Sequence, residues 1–111
     1  MNRYLESKEK DMMTALVDGH LVGIVYAERY RSELGNFLAS KYENLDFIIL
    51  INVARSISYR GLGKTDLSVF TKKYGGGGHK NAAGSPIPNN LLKDITKLIY
   101  QGVKFIESDT N

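Results

Sequence analysis

The chain has 111 residues, 42% of them apolar and 24% charged, with two prolines and no cysteine, which suits one ordinary domain with a real core and excludes a disordered or fibrous class. Without cysteine there is no disulfide or thiolate chemistry, and a formal charge of +3 tolerates an anionic partner while falling short of a bulk nucleic-acid coat. The charged start "MNRYLESKEKDMMTALVDG" does not read as a signal peptide, and the longest apolar run, "FIILINVA", is far below membrane-spanning length, so a cytoplasmic protein with no membrane partner is expected.

In chain order, Tyr4, Leu5, Met12, Met13, Leu16 and Val17 recur among charges, which predicts an amphipathic helix over residues 3–17 that ends at Asp18 and Gly19. "HLVGIVYAE" is rich in β-branched and aromatic residues and predicts a strand. It is followed by a helix over "RYRSELGNFLASKYE", where Leu34, Phe37, Leu38 and Tyr42 fall at helical spacing. "DFIILINVA" is continuously apolar, as a central strand covered on both faces would be, and "RSISYRG" reads as its neighbour, joined either as a hairpin or as one long bent strand. A short helix over "TDLSVFTKKY", capped by Thr65 or Asp66, then delivers the chain into four consecutive glycines. "AAGSPI" predicts a short edge strand limited by Pro86 and Pro88, and "NNLLKDITKLIYQGV" a closing amphipathic helix capped by asparagine. The alternation predicts a single α/β domain with a mixed β-sheet flanked by helices.

Candidate sites are few. "GLGKT" at 61–65 sits where a phosphate-binding P-loop belongs, but the glycine that pattern needs five residues before Gly63 is Ser58, so a strand-to-helix turn is the better reading. His20 opens an apolar strand and reads as structural or merely exposed. The acidic residues are scattered and form no cluster at metal-ligand spacing, so no metal site and no catalytic set is predicted in this chain.

"KYGGGGHKNAAG", residues 73–84, is different. Each glycine in a regular element costs roughly 0.5 to 1 kcal/mol relative to alanine, so four in a row imply that the backbone itself must touch something. Glycines let successive N–H groups converge on an anion and let a phosphate approach the main chain, and His79 adds a side-chain donor at the lip. A flexible linker would continue in polar residues rather than turn at once into "NAAG". Gly76, Gly77, Gly78 and His79 are therefore the expected anion site. Arg60 is a second candidate, since a guanidinium gives a bidentate and permanently charged grip on phosphate.

"SISYR", a short helix and then "KKYGGGGHKNAAG" resemble the C-terminal DHH-associated domain of the DHH phosphoesterase superfamily. The subfamily is that of single-strand exonucleases, short-oligoribonucleotide hydrolases and cyclic-dinucleotide phosphodiesterases. The resemblance runs from about residue 20 to residue 100. It implies an α/β module closing over a cleft against a larger N-terminal domain. Gly76, Gly77, Gly78 and His79 would hold a substrate phosphate, and Arg60 would match the arginine of a Ser-x-Arg-Ser motif whose first serine is Ser58. Gly61 stands where the second serine is usual. "DHH" is absent from the chain, so the manganese ions of the family's N-terminal domain have no counterpart here. On this reading residues 1–18 are a linker-type helix and residues 19–111 the substrate-binding domain of a manganese-dependent phosphodiesterase or exonuclease. Its partners are short single-stranded RNA or DNA, or a cyclic or linear dinucleotide, together with the missing DHH domain. The chain alone is then inactive, and it is either an excised piece or a short natural protein. The other reading is a stand-alone binding module for single-stranded nucleic acid or nucleotides, without catalysis.

Overall fold

The computed structural model describes residues 1–107. Its centre is a six-stranded mixed sheet of β1 (Met13–Val17), β2 (His20–Tyr26), β3 (Phe47–Asn52), β4 (Ser56–Arg60), β5 (Gly77–Gly78) and β6 (Ala82–Pro86), in the order β1-β2-β3-β4-β6-β5. Four helices accompany it: α1 (Asn2–Asp11), α2 (Arg31–Lys41), α3 (Leu67–Phe70) and α4 (Leu91–Ile99). The α/β domain with a mixed sheet is as the sequence predicts. Only β2 and β3 run parallel, and α2 makes the crossover between them.

The helix expected over residues 3–17, assigned with Asp18 to a linker-type segment, is two elements. It stops at Met12, which is extended, and residues 13–17 are a strand paired antiparallel with β2. Asp18 and Gly19 do not end a helix. Both have positive φ, 51° and 84°, and they form the two-residue turn of a hairpin in which Val17 pairs with His20. An Asp-Gly pair meets that demand on two successive residues, and the branched and apolar "TALV" before it suits the pleat. The β3–β4 pair is likewise a hairpin rather than one bent strand, in register from Asn52↔Ser56 to Ile48↔Arg60. The chain turns between them with Arg55 N–H donating to the Asn52 carbonyl at 2.9 Å.

The glycines hold a further difference. Gly77 and Gly78 are themselves the short edge strand, so β6, expected at the edge, lies between β4 and β5. At 61–65 the chain makes a turn, and Asp66 rather than Thr65 caps α3 by accepting from Ser68 N–H at 3.0 Å. Asn90 precedes α4 but makes no capping hydrogen bond from its side chain.

Each face of the sheet has its own core. On one, α1 and α2 cover Val25, Ile48 and Leu50 with Tyr4, Leu34 and Leu38. On the other, Leu67 and Phe70 of α3 pack on Val22, Phe47, Tyr59 and Ala83, with the Phe47 and Phe70 rings edge to face at 4.8 Å. The first four residues of β3 are buried throughout, as a continuous apolar run requires when both faces are covered. α4 contributes no buried residue, and Leu92, Leu98 and Ile99 stay exposed along it. No helix among the described residues is long and apolar enough to cross a membrane.

Candidate phosphate-binding site

The site follows from the two-residue period of β4. Ile57 and Tyr59 point into the α3 core, so Ser56, Ser58 and Arg60 take the opposite face, the one that α2 covers in part. Gly35 of α2 stands directly over the Arg60 stem. A Cβ there would lie 2.4 Å from the Arg60 Cγ, so this mid-helix glycine lets the side chain pass beneath the helix. The guanidinium then donates from Nη2 to the Ser32 hydroxyl at 3.2 Å and from Nη1 to the Tyr59 carbonyl at 2.9 Å. Burial and, next, the charge of Arg31 push the Arg60 guanidinium below its ordinary pKa, though an arginine so placed keeps its charge at neutral pH. Ser58 is buried and accepts from Arg31 Nη1 at 3.3 Å, and Ser56 accepts from the same nitrogen at 3.4 Å.

Strand register extends this group toward the glycines. Ser58 pairs with Gly84, which pairs with Gly77; Arg60 pairs with Ala82, which exchanges backbone hydrogen bonds with His79 at 2.8 and 3.3 Å. Ser58–Gly84–Gly77 and Arg60–Ala82–His79 are thus parallel cross-strand rows, with a strand spacing of roughly 4.8 Å. On the face that carries Arg60, α2 packs on β3 and β4, whereas β5 and β6 are met by α3 and the 3-10 turn at 71–74, which belong to the opposite face. The surface beside Arg60 is consequently a shelf of Ala82, Gly84 and Gly77, with the exposed His79 at its end.

The four glycines are not equivalent. Gly75 has φ +78° and closes the 3-10 turn. Gly76 lies against β6, where a Cβ would fall 2.1 Å from the Gly84 carbonyl oxygen, and Gly78 combines φ +141° with a Cβ position 2.7 Å from the Ala83 Cα. These three are required by the fold. At Gly77 an added Cβ meets nothing within 4 Å, and φ lies outside the left-handed region. Its register with Gly84 and Ser58 turns that empty position onto the shelf. The nest of N–H donors expected from the sequence is largely used up within the chain: Gly75 donates to Lys72, Gly76 to Thr71 and His79 to Ala82. What the loop offers is close approach to a bare backbone.

All six expected residues, Ser58, Arg60, Gly76, Gly77, Gly78 and His79, lie in or beside these two rows. Gly61 faces the other way, toward Phe47 and Leu67, so a hydroxyl at that position would not reach the Arg60 side. His20 lies on the opposite face against Phe47 and Phe70, with Nδ1 3.5 Å from an Asp46 carboxylate oxygen. Arg31, Ser32, Gly35 and Gly84 were not identified from the sequence. Two carried a signal: Arg31 is a cation in a first helical turn, against the helix dipole, and Gly35 costs about 1 kcal/mol relative to alanine within a helix. Among the described residues, no group of three or more histidine, cysteine, aspartate or glutamate side chains could hold a metal ion.

No protein-family model matches the chain. It is 39% identical over 95 residues to the oligoribonuclease NrnB of Bacillus subtilis (strain 168), a match covering 84% of this chain and 24% of that protein. The chain therefore spans about a quarter of its curated relative. Among solved structures it is similar to an uncharacterized protein from Helicobacter pylori G27, with TM-score 0.64, 25% identity, 91% of this chain covered and 30% of the other. It shares its fold with an exopolyphosphatase-related protein from Bacteroides fragilis, at TM-score 0.58 and 15% identity over 88% of this chain and 32% of the other. The same holds for the pGpG-specific phosphodiesterase PggH of Vibrio cholerae, at TM-score 0.52 and 15% identity over 88% and 36%. In sequence the chain is thus similar to one part of an oligoribonuclease, and in fold to part of a phosphodiesterase, consistent with the resemblance to the DHH-associated domain carried by its glycine–histidine string and β4 arginine.

Proposed function

We propose that this chain is the substrate-binding domain of a DHH-family phosphodiesterase acting on short oligoribonucleotides or dinucleotides. The observation that carries the reading is the shelf: an arginine that meets no carboxylate among the described residues stands one row from a glycine that the fold does not need. A phosphate on the bare backbone at Gly77 and Gly84 has the Arg60 fork on one side and the His79 imidazole at the lip. Close approach and a planar charged donor are what phosphodiester recognition needs. His79 orients the phosphate as a hydrogen-bond donor. Hydrolysis would be performed elsewhere, by a metal-activated water in a DHH domain outside this chain, as the family resemblance implies.

The test is a titration of the 111-residue chain with a labelled short oligoribonucleotide by fluorescence anisotropy, followed by incubation with manganese and chromatography of the products. Salt-sensitive binding with the oligonucleotide left uncut is expected. Absence of binding contradicts the substrate-domain reading, and so does metal-dependent cleavage that disappears in His79→Ala.

A further inference from the structure

Arg29, Arg31 and Arg55 stand at the end of the sheet where β2 and β3 finish, Arg60 stands at the far end of β4 opposite Ile48, and none of the ion pairs among the described residues engages any of the four. Lysines and one histidine take the carboxylates. Arg31 and Arg60 are each hydrogen-bonded to the other's element. Arg60 donates to Ser32, the residue after Arg31, while Arg31 donates to Ser58, two residues before Arg60 on the same strand face. Two like charges held beside a buried serine, with no carboxylate between them among the described residues, disfavour each other, and the charge of Arg31 adds to burial in lowering the Arg60 pKa. Arg31 also opposes the dipole of its own helix. An anion is the partner that relieves both.

The space for it is already shaped. From Arg31 a polar hollow of about 300 Å3 leads away from the glycine shelf toward Arg55, lined by Arg29, Arg31 and Arg55 with Asn52. Of the two carboxylates at its rim, Glu28 is held by Lys8 at 2.9 Å, which leaves Glu33 alone against three guanidinium groups. The hollow thus keeps a net positive charge, and Arg31 stands between it and Arg60. Ser56 and Ser58, the two acceptors of Arg31, lie four and two positions before Arg60 on β4, on the order of 13 and 7 Å along an extended strand.

We propose that Arg31 is a specificity-determining residue that grips a second phosphate next to the one held by Arg60. On this view the site takes ligands carrying two consecutive phosphates in preference to one. The inference rests on the proposed substrate site and adds to it a polarity along the sheet: first phosphate at Arg60 and the glycines, second in the arginine-lined hollow.

The experiment compares two ligands by calorimetry at one fixed salt concentration: the dinucleotide GpG, with a single phosphodiester, and pGpG, which adds a terminal phosphate. The parent chain is expected to favour pGpG by about tenfold, as one additional charge-assisted bidentate contact gives. In Arg31→Gln that preference should fall to about twofold or less. Arg60→Gln, which removes the same charge, should weaken both ligands and leave the preference in place. Arg31 is exposed, so the substitution does not threaten the core. A pGpG preference in Arg31→Gln equal to the parent's, or lost equally in Arg60→Gln, overturns the role of Arg31 while leaving the substrate site standing. Failure of the parent to bind either ligand overturns the substrate site itself, and this inference with it.

Discussion

One sheet face is built in two ways. Under α1 and α2, the strands β2 and β3 present Val25, Ile48 and Leu50 to Leu34 and Leu38, all buried. Next to them on the same face, β4, β6 and β5 present Ser58, Arg60, Ala82, Gly84 and Gly77, and the helices do not extend over β6 and β5. The backbone pairing is continuous across both halves, so what differs is the side chains and the helical cover over them. The apolar half excludes water and holds the domain together. The other half omits side chains where a ligand backbone would lie and places a cation at its edge. Ending the helical layer two strands early leaves this surface open at no cost to the core, as the proposed binding role requires.

Removing part of the covered half should have the largest effect. Leu38 is fully buried, and Leu38→Ala should cost about 2 to 5 kcal/mol of stability by the transfer and cavity terms together. Gly76→Ala belongs to the same group although it lies in the loop, because its methyl would enter the Gly84 carbonyl. A loss of stability of about 1 to 3 kcal/mol, on the scale of overpacking, is expected. Chemical denaturation reads both. If Gly76→Ala matched the parent, the division between structural and ligand-facing glycines would be wrong.

A smaller effect is expected in the open half, where the fold is indifferent and the ligand is not. Arg60→Lys keeps a positive charge and loses the planar fork, so it should leave the denaturation midpoint near the parent's while weakening oligonucleotide binding by on the order of 1 kcal/mol. Parent-like affinity at moderate salt in this variant would show that Arg60 acts only as a diffuse charge.

Much of this division was legible in the sequence, for reasons that differ by element. "FIILINVA" could only be a central strand because nothing in it is suited to solvent. "SISYR" followed by the glycine–histidine string put Ser58, Arg60 and His79 forward through chemistry and resemblance, and strand register brings them into neighbouring rows. The amino-terminal hairpin was missed because Met12, Met13, Leu16 and Val17 satisfy a helical stripe as well as a strand alternation, and the period alone does not separate them over so short a run. The Asp18–Gly19 pair carried the deciding information, read as a helix end instead of a hairpin turn. The glycine run was read as a single device. Three of its members answer to close packing against β6 or to positive φ, and those demands arise from a strand pairing that no local pattern announces. Arg31 was passed over for the same reason. Its meaning depends on Ser56 and Ser58, more than twenty residues away, and only the β3–β4 hairpin and the α2 crossover bring them together.

The central claim, that the fold tolerates a side chain at Gly77 and the ligand does not, is tested most directly by one variant. Gly77→Ala places a methyl on the shelf in line with Gly84 and Ser58, where it meets no protein atom within 4 Å. Its denaturation midpoint should equal the parent's, and its affinity for a short oligoribonucleotide, measured by fluorescence anisotropy, should fall about tenfold, as loss of close phosphate approach implies. Parent-like affinity in a well-folded Gly77→Ala chain would contradict the account.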